Sequence, residues 1–180
     1  VDVRGGTPFR ILQDFGAYAT YGPTSSTITY VPRTNYYFTK GYMGAAQMDI
    51  FMWDRSAGTH RRITDWKGDD VHAMWLPDGS GFYYISDHDR VSNLWFVDLA
   101  SGTTTQKTFY TTGDITFPRI ARNGSLIAYE YEGGIHLFDT ASGETRPLNV
   151  TVGRDPGENP QIYKTFTSEA SSFAIGEEGT

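Results

Sequence analysis

The sequence predicts an all-β fold built from repeated four-stranded units, and three observations predict it. The first is a turn written three times, as Asp54-Arg55-Ser56-Ala57-Gly58-Thr59, Asp98-Leu99-Ala100-Ser101-Gly102-Thr103 and Asp139-Thr140-Ala141-Ser142-Gly143-Glu144. The second is an upstream anchor, Asp78-Gly79 ahead of Phe82-Tyr83-Tyr84-Ile85 and Asn123-Gly124 ahead of Leu126-Ile127-Ala128-Tyr129. Asp-Gly and Asn-Gly are strong hairpin signals. The third is composition: 12 Tyr and 11 Phe suited to strands and 20 Gly suited to turns, in 180 residues, favour β structure. A period of about 43 residues holding four short antiparallel strands is that of a β-propeller blade. A sandwich leaves the fixed spacing of the turn unexplained.

The elements follow in order. Residues 1–12 are expected to hold the last strand of a blade, because Gly6 to Leu12 matches the segment Gly58 to Ile63 that follows a turn glycine. Residues 13–64 form the first complete blade. It opens with a worn turn, Tyr21-Gly22-Pro23-Thr24-Ser25, and carries an insertion over 32–47 before the apolar run Ile50-Phe51-Met52-Trp53. Residues 65–108 form the second blade, with Leu94-Trp95-Phe96-Val97 as its third strand, and residues 109–150 the third. Apolar residues on both parities of such a strand fit burial between two neighbouring sheets. Residues 151–180 are expected to be a Pro/Gly-rich loop and the start of another blade. In each turn the Asp or Asn (Asp54, Asp78, Asp98, Asn123, Asp139) is expected to accept backbone N–H groups. The glycine (Gly58, Gly79, Gly102, Gly124, Gly143) is expected to supply a positive φ.

The insertion brings together Arg33, Tyr36, Tyr37, Phe38, Lys40 and Tyr42, candidates for peptide or partner contact. The plainer reading is that these rings cover a blade edge or contact another part of the parent protein. Ser86-Asp87-His88-Asp89 falls in a strand connection, and His60, His72 and His136 lack the spacing of metal ligands. Asp65, Asp69 and Asp70 surround Trp66-Lys67-Gly68 and read as solvated loop charge rather than a calcium loop. No nucleophile elbow and no phosphate-binding glycine loop occur. No catalytic, cofactor-binding or metal-binding residue is therefore predicted.

With no cysteine, thiol chemistry and thiolate metal sites are excluded. The net charge of −6 argues against a nucleic-acid partner. No apolar run reaches the ~20 residues of a membrane helix, and Val1-Asp2-Val3-Arg4-Gly5-Gly6 lacks the pattern of a signal peptide. Cytoplasm, periplasm and secretion all stay open.

The stretch Trp75-Leu76-Pro77-Asp78-Gly79, with Tyr83-Tyr84-Ile85-Ser86-Asp87, Asn93-Leu94-Trp95, Asp98 and Ser101-Gly102, resembles the PD40, or TolB-like, subclass of WD40-like repeats. More narrowly, Gly41-Tyr42-Met43-Gly44-Ala45-Ala46-Gln47-Met48-Asp49-Ile50-Phe51 resembles the first propeller of tricorn-type proteases, as do Leu99 to Thr108 and Gly113 to Pro118. That resemblance implies a six-bladed propeller preceding a second propeller, a PDZ domain and a serine-peptidase core. It implies a module without catalytic residues, cofactor or metal that gates or filters oligopeptides or scaffolds assembly. Its partners would be the remaining blades and the peptidase domains, in an oligomeric parent. The alternative is a TolB-like protein-interaction propeller with no associated peptidase. An open arc would expose strand edges, so association or only marginal stability is expected of the isolated chain.

Overall fold

The structure, a computed structural model, describes residues 5–7, 10, 16–33, 40–151 and 153. The chain divides into two compact units, Val1–Asn149 and Val150–Thr180, and the second lies almost wholly outside the described residues. So do most of 1–12 and all of 161–180, where an outer strand and the start of a further blade are expected.

The described part of the first unit is all strand and turn. The first sheet holds β1 (Ala17–Tyr21), β2 (Thr27–Val31), β3 (Phe51–Asp54) and β4 (Thr59–Arg62). The second holds β5 (Asp70–Trp75), β6 (Gly81–Ser86), β7 (Asn93–Asp98) and β8 (Thr104–Gln106). The third holds β9 (Thr116–Ile120), β10 (Leu126–Tyr131), β11 (Gly134–Asp139) and β12 (Thr145–Pro147). Every pairing is antiparallel and every sheet keeps its strands in chain order. The first strands adjoin one another, β1 beside β5 and β5 beside β9. Among the described residues no helix is long and apolar enough to cross a membrane.

Local chemistry explains the turns. Asp54 Oδ1 accepts the Ser56 N–H (2.8 Å), the Ser56 hydroxyl and the Ala57 N–H. Asp98 accepts from Ser101 and Asp139 from Ala141 and Ser142, all within 2.9 Å. Gly58, Gly102 and Gly143 close these turns with φ of 63°, 72° and 76°. In the upstream turns Asp78 and Asn123 bind Ser80 and Ser125 through backbone and hydroxyl. Gly79 and Gly124 there take φ of 75° and 76°. The first sheet has Ser25 at this position, also left-handed at 56°, a conformation that costs an L-residue roughly 1–2 kcal/mol.

Packing repeats as well. The Ile50 N–H donates to the Thr64 hydroxyl (2.9 Å) and the Leu94 N–H to the Thr108 hydroxyl (2.8 Å), both buried. The core is richest around the second sheet, where Phe82, Tyr84 and Leu94 are fully buried and Ile85 and Val97 nearly so. Two seams join the sheets. Across the first, the Trp75 indole N–H donates to the Thr29 hydroxyl (3.2 Å). Across the second, Tyr83 meets Phe138 edge-on, ring centroids 5.8 Å apart.

Each seam also carries a polar clasp at the same place in the repeat. At the first, the Met48 N–H donates to Asp69 Oδ1 (2.9 Å) and the Asp70 N–H returns to the Met48 carbonyl (2.7 Å). At the second, the Ser92 N–H donates to Asp114 Oδ1 (3.0 Å) and the Ile115 N–H returns to the Ser92 carbonyl (3.1 Å). Asp69 and Asp70 are thus not the solvated charges expected of a loop. Asp69 holds a strand in place, and Asp70 has no exposed surface at all.

Candidate functional site

Two features stand apart from the repeat. The first is the insertion. Its described residues fold onto the other sheets rather than standing free. Lys40 Nζ lies 2.6 Å from Asp114 Oδ2, and the Gly41 N–H donates to Asp87 Oδ2 (2.6 Å). The loop of the first sheet is therefore tied to carboxylates of the second and third. Arg33 donates to the Ala45 carbonyl, and the Tyr42 ring lies back over Gly44. Tyr36, Tyr37 and Phe38 lie outside the described residues. Behind Lys40 is a cavity of about 250 Å³, floored by Met48, Val71, Ile85 and Ile115 and edged by Asp87 and Asp114. Asp87 is nearly buried and serves the backbone, accepting the Asp69 N–H on Oδ1 and the Gly41 N–H on Oδ2. His88 pairs at 3.4 Å with its neighbour Asp89. Among the described residues no group of three or more His, Cys, Asp or Glu is placed to hold a metal ion.

The second feature is the wall formed by the first strands. It lines an open groove of about 710 Å³ that includes Tyr18, His72, Met74, Phe117 and Arg119. Strands β1, β5 and β9 each break register, and each break contains or adjoins an aromatic residue with positive φ. Those residues are Tyr18 (51°), His72 (59°) and Phe117 (49°). Large side chains are rarely held in this region, where glycine sits without steric cost. Tyr18 and His72 meet edge-on at 4.6 Å, and Phe117 is 66% exposed. Burial, aided by the Arg119 charge, pushes the His72 pKa down to about 4, so this ring is neutral at neutral pH. The wall offers aromatic surface with one cation beside it.

Sequence reasoning singled out the insertion and missed this wall. A signal existed, since Tyr18, His72 and Phe117 each stand five positions ahead of Pro23, Pro77 and Arg122 of the turn that follows. The bulges hid its meaning, because strand alternation cannot say which face a bulged residue takes.

Four-stranded antiparallel sheets set side by side along their first strands define the chain as β-propeller blades. The chain belongs to the family of the tricorn protease N-terminal beta propeller domain, which it matches over residues 1–144. A tricorn protease homolog of Saccharolobus solfataricus is 24% identical over 116 residues, which is 64% of this chain and 10% of that protein. The crystal structure of the tricorn protease superposes with a TM-score of 0.60 at 18% identity, covering 72% of this chain and 12% of that one. A putative TolB from Agrobacterium tumefaciens gives 0.65 at 19% identity, over 79% of this chain and 52% of its own. The chain thus spans about a tenth of the length of the curated relative it matches.

Proposed function

We propose that the chain is part of a non-catalytic propeller in a tricorn-like serine peptidase, and that its axial wall filters oligopeptides on their way to or from a catalytic core. The observation that carries this reading is the set of Tyr18, His72 and Phe117, each held left-handed on a first strand. If only the bulge mattered, glycine would serve better. Rings kept at a conformational cost in equivalent places argue that the side chains are used. An extended peptide with apolar or aromatic side chains fits such a wall, since ring contacts supply about 0.5–1.5 kcal/mol each beyond burial. The insertion, tied to Asp87 and Asp114, would hold the blades in register around that path.

The test uses the complete parent protein. Phe117→Gly and Tyr18→Gly are expected to lower kcat/KM for apolar oligopeptides several-fold while leaving a minimal chromogenic substrate untouched. Unchanged oligopeptide turnover in both variants would overturn the filter.

A second reading, an interaction propeller without a peptidase, draws on the TolB likeness. It predicts capture of a stable protein partner and no peptidase core in the same coding sequence.

A further inference from the structure

The clasp positions of the two seams are the same place in the repeat, yet they hold different residues. Asp69-Asp70 at the first corresponds to Asp114-Ile115 at the second. Ile115 is 2% exposed, so an apolar side chain is what this position accommodates. Asp70 occupies it with a carboxyl group that is 0% exposed. Among the described residues neither of its oxygens finds a hydrogen bond of good geometry. Among the described residues no cation pairs with it: the nearby hydroxyls of Ser86 and Thr64 offset its burial only in part, and the charges around it are the carboxylates Asp49 and Asp87. Asp49 is itself engaged by Arg62 at 2.9 Å, and burial holds its carboxyl above the ordinary range. Tyr84, on the facing strand, keeps its proton because burial drives its pKa up. An ion buried without a counter-charge is far costlier than a buried neutral acid.

We infer that the first seam is a pH-responsive joint, closed while the Asp70 carboxyl is protonated and loosened once it ionises, whereas the second seam, built on Ile115, is not. This stands independently of the peptide-filter reading. Burial raises the Asp70 pKa from 3.8 to about 7. Between those values the folded chain therefore holds a proton that the unfolded chain has lost. Stability falls as pH rises through that window and is level, with respect to this group, above it.

The experiment compares the full chain with Asp70→Asn and Asp70→Ile in equilibrium unfolding across that window and up to about pH 8. The unfolding constant of the wild type should rise against both variants by up to about tenfold per pH unit, then run parallel to them. Both variants should be the more stable proteins at the alkaline end. If Asp70→Ile does not fold, Asp70→Asn alone decides. A wild-type-to-variant difference independent of pH, or an Asp70→Asn protein weaker than wild type at the alkaline end, would overturn the inference.

Discussion

The two seams share one plan and differ in how they carry it out. Both are closed by an aspartate that takes a backbone N–H from the preceding blade, Asp69 from Met48 and Asp114 from Ser92. Next to it the first seam buries a carboxyl and the second an isoleucine. Around it the first uses an indole-to-hydroxyl bond, Trp75 to Thr29, and the second uses ring contact, Tyr83 with Phe138. The Asn93 side chain of β7, bonded to the Tyr110 carbonyl (3.0 Å) and N–H (2.9 Å), and the Lys40–Asp114 ion pair add to the third blade's attachment. A repeat can thus keep its backbone geometry while assigning one seam to apolar packing and the other to a titratable group.

The largest effect should come from removing the ring at the second seam. Phe138 is 1% exposed, and Phe138→Ala should cost about 3–5 kcal/mol in denaturant unfolding. A loss below about 1 kcal/mol would mean this seam does not rest on ring packing.

Next come the clasps. Asp69→Ala strands the N–H of the buried Met48 and should cost about 2–3 kcal/mol. Asp114→Ala exposes the less buried Ser92 N–H and should cost about 1 kcal/mol, its partly exposed partner Lys40 adding little. Equal losses would erase the distinction drawn between the two clasps.

Effects smaller than that of the first clasp lie in the upstream turns. Gly124 has φ of 76°, and a Cβ there would fall 2.6 Å from Pro77 Cδ of the preceding blade. Gly124→Ala should therefore destabilise by about 1–2 kcal/mol. Ser25→Gly, which relieves the worn copy, should stabilise by about 0.5 kcal/mol once the looser unfolded chain is counted. Calorimetry of the two variants checks both signs.

Much of this fold was legible in the sequence because its turns are local chemistry. An Asp followed four residues on by Gly, with a Ser between them, needs no distant partner to form its hydrogen bonds, so the blades could be counted from three copies of it. The seams were less legible. Asp65, Asp69 and Asp70 surround a glycine in a connection, where hydrated charge is the ordinary expectation. What buries Asp70 is the packing of the first sheet against the second, with Thr64 drawn from the first blade and Tyr84 and Ser86 from β6 of the second. Aligning Gly68-Asp69-Asp70 with Gly113-Asp114-Ile115 would have shown an acid where the repeat elsewhere puts an isoleucine. The aromatic wall escaped notice for a different reason, since a bulge undoes the alternation by which a strand's inward side chains are recognised.

The difference between the seams is read most directly at two equivalent amides. The Asp70 N–H donates to Met48 across the first seam and the Ile115 N–H to Ser92 across the second. Their hydrogen-exchange protection, corrected for intrinsic rates, reports the opening of each seam. As pH rises toward 7, protection at Asp70 should fall relative to Ile115 by up to about tenfold per pH unit, and Asp70→Ile should abolish that fall. A ratio of the two protections that does not change with pH would contradict the account.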